Sequence, residues 1–240
     1  MMTNTKKQAV MSAYPMPELS CKISVPVVRE PGSALTHFIA MLFSILGAFP
    51  LLQKAAQRPD SRYFISIFIF ISCMILLYAA STAFHTFDIN RRINTVLKKM
   101  DHMMISVFIA GSYTPICLLV LPQEIGLPLL AIVWGLALAG ILIKAFFVFC
   151  PKWVSSILYI GMGWTCVLAL GSIYHSLTPA AFGWLLAGGL IYTAGGVIYA
   201  LKLPIFKRLP ENFGNHEIFH LFVMAGSLCH YIVMYGYVLA

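Results

Sequence analysis

The chain has 240 residues, of which 60% are hydrophobic and 10% are charged, and its mean hydropathy is +0.86. Soluble domains carry about 25% charged residues, so this composition excludes a soluble globule and indicates one polytopic membrane domain. The net charge of +8 lies in short clusters between apolar runs, which excludes the continuous basic face of a nucleic-acid-binding protein. The six cysteines show no CxxC spacing, and no disulfide framework is expected.

The chain begins with a segment that we predict to be a cytoplasmic N-terminal arm, residues 1–32. Pro15, Pro17 and Pro26 interrupt it, and it lacks the apolar core of a signal peptide. We predict an all-α membrane domain over residues 33–240, because seven apolar runs approach the roughly 20 residues that a bilayer requires. The runs lack the period-two alternation of barrel strands. They are Ala34–Leu52, Tyr63–Phe87, His102–Leu121, Leu127–Phe149, Val154–Tyr174, Ala180–Leu201 and Ile218–Leu239.

The distribution of positive charge predicts the orientation of these seven helices. Three of the 16 Lys and Arg residues lie in the link between the first two runs: Lys54, Arg58 and Arg62. All the others lie on the opposite side, which predicts a cytoplasmic N-terminus and an external C-terminus. They are Lys6, Lys7, Lys22, Arg29, Arg91, Arg92, Lys98, Lys99, Lys144, Lys152, Lys202, Lys207 and Arg208. Lys144 lies inside the fourth run, and we expect its ammonium group to snorkel to the cytoplasmic face.

The predicted orientation places several polar residues at one depth, near the cytoplasmic leaflet. His216 and His220 are four residues apart, so on a helix they share a face about 6 Å apart along the axis. His85 ends the second run, with Ser81 one turn deeper on the same face, and Asp101 begins the third. Polar side chains inside a membrane are costly unless they have partners. We therefore expect these residues to form one site.

Three imidazoles are a suitable ligand set for zinc. Catalytic zinc sites use three protein ligands and leave a fourth position for water, whose pKa falls to about 7. His85, His216 and His220 are the predicted ligands. Asp101 is the carboxylate expected to accept a proton from the water, and Ser81 is expected to hold water or a developing oxyanion. A site of this kind would cleave an amide or ester near the cytoplasmic interface.

The same residues resemble the motifs of the hemolysin III group. That group belongs with the progestin and adipoQ receptors, and these include the adiponectin receptors. The resemblance extends to Tyr78–Phe87 and Gly111–Pro115, and it reaches His230 in the last run. It implies zinc on the three histidines, Asp101 near the water and Ser81 beside it. Because the wider superfamily includes alkaline ceramidases, it also implies a ceramide-like lipid substrate and release of a fatty acid. Bacterial members imply a bacterial inner or plasma membrane.

Several alternatives stay open at this point. The stretch from His216 to His220 also has the His-Glu-x-x-His pattern of zinc proteases, in which Glu217 would be the general base. The group's haemolytic name indicates a cytolytic protein with structural zinc, and the adiponectin receptors indicate a sensor or receptor that uses the pocket for binding. His37 and His230 are either hydrogen-bonded interior residues or part of the site or its cavity. Glu30 has no assigned role, since Pro31-Gly32 follows it where a more helical stretch is expected.

Overall fold

The protein is described from a computed structural model that covers residues 28–201 and 214–240. The predicted N-terminal arm lies outside the described residues up to position 27, and so does most of the link between the last two helices. The predicted cytoplasmic charges in these two segments are therefore not placed: Lys6, Lys7, Lys22, Lys202, Lys207 and Arg208.

Within the described residues, seven helices are long and apolar enough to cross a membrane. Two of them end in a π-helical turn, at Ile116–Val120 and Met234–Val238. A third passes through a 3-10 stretch at Trp164–Ala169. The helices are α1 (Pro31–Ala56), α2 (Ser61–Thr86), α3 (Arg91–Val120), α4 (Gln123–Phe147), α5 (Lys152–Ser176), α6 (Pro179–Leu201) and α7 (Asn215–Val238).

The predicted all-α fold with seven transmembrane helices is confirmed, but one boundary is wrong. Helix α3 begins at Arg91, about three turns before the predicted His102. The extra turns are polar, so hydropathy does not detect them, whereas the cap does: the Asn90 side chain accepts a hydrogen bond from Ile93 N at 3.0 Å. Helix α1 begins at Pro31, where proline is favoured in the first turn.

The helices pack in a ring in which each contacts its neighbours in the chain and α7 returns to α1. The outer face carries large exposed apolar side chains, such as Phe43, Leu46 and Phe49, each about 70% exposed. A soluble protein would not leave such a belt in water, whereas lipid solvates it. Some interior polar side chains are paired across helices, as in Tyr78, whose hydroxyl donates to Ser227 Oγ at 2.7 Å.

The expectation that Lys144 snorkels to the cytoplasmic face is wrong. Its side chain is fully buried, because Ser155 of α5 and Cys150 of the α4–α5 link supply hydrogen-bond acceptors inside the bundle. The ammonium group donates to Ser155 Oγ at 2.5 Å and to Cys150 Sγ at 3.0 Å. The lysine therefore ties α4 to α5 rather than anchoring the helix at the surface.

Candidate metal centre

The structure brings three imidazoles together at the end of the bundle where α2 ends and α7 begins. The nearest nitrogen atoms of His85, His216 and His220 all lie within 4.8 Å of one another. His85 Nε2 and His216 Nε2 are 3.2 Å apart. His85 and His220 are buried, and His216 is partly buried. Residues that are far apart in the chain thus form one compact cluster of nitrogen ligands.

Helix geometry explains why the three rings meet. His216 and His220 are four residues apart in α7, so both project from one face. The C-terminal end of α2 comes close enough to the start of α7 for His85 to contact this face. The ring centroids of His85 and His216 are 4.9 Å apart, and those of His85 and His220 are 5.1 Å apart.

Glu30 is held against His85 by two hydrogen bonds. The Glu30 carboxylate accepts a hydrogen bond from His85 Nδ1 at 2.6 Å, and Glu30 N donates to the His85 carbonyl at 2.9 Å. This hydrogen bond holds the pKa of the Glu30 carboxyl below its usual range, against the opposing effect of partial burial. Because His85 donates through Nδ1, its Nε2 lone pair is left facing the cluster. A carboxylate that orients a histidine in this way is typical of metal sites.

Thr36 fixes His220 in the same manner. The Thr36 hydroxyl has one hydrogen, which it directs to the carbonyl oxygens of Gly32 and Ser33 at 3.0 and 2.9 Å. It therefore accepts from His220 Nδ1 at 3.2 Å, and the Nε2 lone pair of His220 is left free. Sequence reasoning assigned no role to Thr36 or to Glu30. Their positions at the start of α1, at the same predicted depth as the histidines, were the available signal.

These residues fit a metal ion of the zinc type. Two ligands of tetrahedral zinc at about 2.0–2.1 Å lie roughly 3.3 Å from each other, close to the 3.2 Å between His85 Nε2 and His216 Nε2. Two facing lone pairs repel unless a proton or a cation lies between them. His216 Nδ1 is buried without a hydrogen-bond partner among the described residues. The cluster is thus able to bind a metal ion.

Asp101 and Ser81 line the cavity beside the cluster, together with His216 and His220. Asp101 is 7% exposed, and its Oδ2 lies 3.4 Å from His102 Nδ1, which is closer to the Lys98 carbonyl at 3.0 Å. The carboxylate is therefore only weakly engaged. Ser81 Oγ is buried and has no partner in the described part of the chain. The predicted carboxylate and hydroxyl are thus placed beside the cluster, and their roles stay predictions.

The cavity itself has a volume of about 230 Å³ and lies between α3, α5, α6 and α7. Its lining on α7 extends from His216 to His230, which is about 21 Å along a helix of regular rise. Most of the lining is apolar, including Phe108, Ile109 and Val223. A long, mostly apolar space with a histidine cluster at one end is suited to an amphiphile with an acyl chain.

Glu217 is engaged elsewhere, although it lies between two of the histidines in the sequence. Its Oε2 accepts from Gly214 N at 2.7 Å and caps α7, while its Oε1 accepts from Ser33 Oγ at 2.5 Å. One carboxylate oxygen therefore caps the N-terminus of α7, and the other connects α7 to α1. The protease pattern is present, but its glutamate has a structural role.

His37 and His230, the other two histidines considered for the site, lie at opposite ends of the cavity. The His37 ring stacks on His220 with centroids 3.6 Å apart, and neither nitrogen has a partner among the described residues. His37 therefore belongs to the immediate surroundings of the cluster. His230 lies at the far end of the cavity, packed against Gly188 and Tyr192.

A bundle of seven apolar helices with a histidine cluster at one end defines a class of heptahelical membrane proteins with an intramembrane candidate metal site. Residues 26–231 match the model of the family described as haemolysin-III related, and the chain belongs to that family. This confirms the predicted resemblance. The protein is a multi-pass integral protein of the plasma membrane.

Proteins with similar sequences cover nearly the whole chain. Hemolysin-3 of Bacillus cereus is 34% identical over 224 residues, which are 93% of this chain and 98% of that protein. The Hemolysin-3 homolog of Bacillus subtilis strain 168 is 36% identical over 211 residues, 88% of this chain and 95% of the relative. The adiponectin receptor protein of Drosophila melanogaster is 24% identical over 221 residues, 85% of this chain and 50% of that receptor.

Proposed function

We propose that the protein is a zinc-dependent hydrolase that cleaves an amide or ester bond in a membrane lipid of the ceramide type. The observation that carries the proposal is the position of the histidine cluster. Two of its three histidines, His216 and His220, line one end of a long apolar cavity. The weakly engaged carboxylate of Asp101 lies in the same wall, as does the Ser81 hydroxyl, which has no partner among the described residues. A three-ligand set leaves a coordination position open, which is typical of catalytic rather than structural zinc.

His85, His216 and His220 would hold the ion, with Glu30 and Thr36 fixing two of the rings. A zinc ion bound there would supply a Lewis acid that polarises a carbonyl and makes hydroxide accessible at neutral pH. The protein's own residues do the remaining work. The apolar cavity binds the acyl chain and excludes water, which strengthens electrostatic interactions at its polar end.

Asp101 is placed to accept a proton from water at the cavity end and later to donate it to the leaving amine or alcohol. General acid–base catalysis of this kind contributes about 10²–10⁴-fold to the rate. The Ser81 hydroxyl, which has no partner among the described residues, is placed to donate a hydrogen bond to the oxygen on which negative charge develops.

The test begins with zinc content and fatty-acid release by the purified full-length chain in lipid nanodiscs. We expect one zinc ion per chain and release of fatty acid from ceramide. Asp101→Asn should retain zinc and slow release at least about 100-fold, whereas Glu124→Gln, at an exposed position on α4, should leave it unchanged. Equal turnover in Asp101→Asn and the unmutated protein would remove Asp101 from the chemistry. Absence of lipid cleavage by the zinc-loaded protein would reject the hydrolase.

Similarity over 98% of a protein named Hemolysin-3 supports a second candidate, a cytolytic protein in which zinc is structural. Lysis of red cells by the same variants separates the two. If Asp101→Asn loses lipid cleavage and lysis together, lysis follows from hydrolysis. If it lyses cells at the full rate without cleaving lipid, the cytolytic function stands alone.

A further inference from the structure

A second cluster of reactive side chains lies at the α4–α5 link, apart from the three histidines. Lys144 is fully buried, and its ammonium group hydrogen-bonds only Ser155 Oγ at 2.5 Å and Cys150 Sγ at 3.0 Å among the described residues. The ion pairs of the described chain do not include Lys144. A buried ammonium group is costly without an anion. Cys150 is the ionisable acid in hydrogen-bond contact with it.

Cys150 differs from the other described cysteines in its charge environment, and from three of them in access. Cys73, Cys117 and Cys229 are buried, whereas Cys150 is partly exposed. Burial raises the pKa of the Cys150 thiol, but the hydrogen bonds from Lys144 and Ser155 outweigh it and lower that pKa below the usual value. A partly exposed thiol beside a lysine is the environment of a nucleophilic cysteine.

The surroundings of the thiol indicate which electrophile would reach it. Exposed aromatic side chains flank the link on both sides: Phe146, Phe147 and Phe149 are about 70% exposed, and Trp153 is 57% exposed. Aromatic residues of this kind occupy the membrane–water boundary. A reagent that reaches Cys150 therefore has an apolar chain that stays in the lipid and a reactive group at the interface.

We propose that Cys150 is an acyl-acceptor site, at which a thiolate paired with Lys144 takes a fatty acyl group from an acyl thioester at the membrane boundary. The thiolate attacks the thioester carbonyl, and a new carbon–sulfur bond to Cys150 forms as the donor's carbon–sulfur bond breaks. The carrier leaves as a thiolate, which takes a proton from water. Neither oxidant nor reductant is required.

Acylation also changes the wall of the cavity. The product thioester is neutral, so Lys144 loses its anionic partner and keeps Ser155, which lines the cavity. Cys150 is thus linked to the cavity through one buried cation, although it does not itself line the cavity.

The full-length protein in nanodiscs of phosphatidylglycerol and phosphatidylethanolamine, incubated with palmitoyl-CoA, tests the proposal. We expect one acyl group per chain, mapped to Cys150 by mass spectrometry and removed by neutral hydroxylamine. Cys150→Ser should abolish it, and Cys166→Ser, at the other partly exposed cysteine of the described residues, should leave it unchanged. Equal acylation of Cys166, or only sulfenic acid at Cys150, would overturn the proposal.

The role of Lys144 has its own readouts. A free thiol of pKa about 8.5 is roughly 3% ionised at pH 7. Pairing with Lys144 should raise the ionised fraction of Cys150, but a thiolate of lower pKa is also a weaker nucleophile. Together these effects should speed alkylation of Cys150 by iodoacetamide about tenfold. Lys144→Met should lose this increase, and an unchanged rate in a folded variant would refute the pairing. A second readout needs no variant.

The pH profile of Cys150 alkylation in the unmutated protein should have its midpoint below 8.5, and a midpoint at or above that value would overturn the pairing. The thiol is in hydrogen-bond contact with Lys144 and Ser155, and the Tyr159 and Tyr199 hydroxyls lie within electrostatic range of it. Lys98 and Lys152, whose ammonium groups lie over the Phe149 and Tyr199 rings, add positive charge at the same end of the bundle.

Discussion

Removing the Glu30 carboxylate should weaken metal binding without touching a ligand. The His85 Nδ1–Glu30 Oε2 hydrogen bond is 2.6 Å long and holds the tautomer that presents His85 Nε2 to the cluster. Loss of a carboxylate in this position typically costs 10–100-fold in metal affinity. Because 39% of the Glu30 side chain is exposed, water replaces part of the interaction. We therefore expect Glu30→Ala to raise the zinc Kd about tenfold, or about 1.4 kcal/mol.

Competition between the purified protein and a zinc-binding dye measures this change. Glu30→Gln retains an oxygen acceptor for His85 Nδ1 but loses the charge, so its zinc Kd should fall between those of the unmutated protein and Glu30→Ala. Glu124→Ala removes an exposed carboxylate from α4 and should leave the Kd unchanged. If Glu30→Ala binds zinc as tightly as the control, His85 does not ligate through Nε2 with Glu30 behind it.

Three further outcomes are expected. Chelation of zinc should lower the unfolding temperature, because a ligand at 100 times its Kd stabilises the folded state by about 2.7 kcal/mol. An unchanged unfolding temperature after verified zinc loss would argue against a bound ion that stabilises the fold. Gly111→Ala should destabilise the bundle by about 1–3 kcal/mol, since the added Cβ would lie 2.7 Å from Cys73 Cβ, whereas Gly135→Ala meets nothing within 4 Å and should be neutral or stabilising. Ser33→Ala removes the hydrogen bond to Glu217 and should lower the free energy of unfolding by about 1.5 kcal/mol. Thermal unfolding in nanodiscs measures the effects of the glycine and the serine substitutions. Equal unfolding midpoints for Gly111→Ala and Gly135→Ala would contradict the packing argument.

The hydropathy pattern and histidine spacing were sufficient to predict the helix count and the clustered imidazoles. A bilayer imposes a minimum apolar length on each span, and two histidines four residues apart on a helix must share a face. The position of His85 beside them followed from placing polar residues at a common depth. These inferences use only helical periodicity and the orientation of charge, both of which are properties of the sequence. The orientation itself stays a prediction.

The remaining features depend on contacts between distant segments. Glu30 reaches His85 because residues 28–30 lie against the end of α2, where Arg29 N and Glu30 N donate to the Thr86 and His85 carbonyls. Hydropathy alone does not predict that the segment before α1 packs against the end of α2. Lys144 was misplaced for a related reason, because snorkelling assumes that water is the nearest acceptor. Here Ser155 Oγ and Cys150 Sγ accept hydrogen bonds from the ammonium group inside the bundle.

The position of Glu217 has a consequence for the interpretation of short motifs in other membrane proteins. Helix α7 has its N-cap at Gly214, so Glu217 is the third helical residue, where a carboxylate satisfies backbone amides and the positive end of the helix dipole. A glutamate deeper in a helix has no free amides to cap and remains available for proton transfer. The distance of a His-Glu-x-x-His pattern from the start of its helix therefore separates capping glutamates from catalytic ones, and it can be applied wherever that start is known.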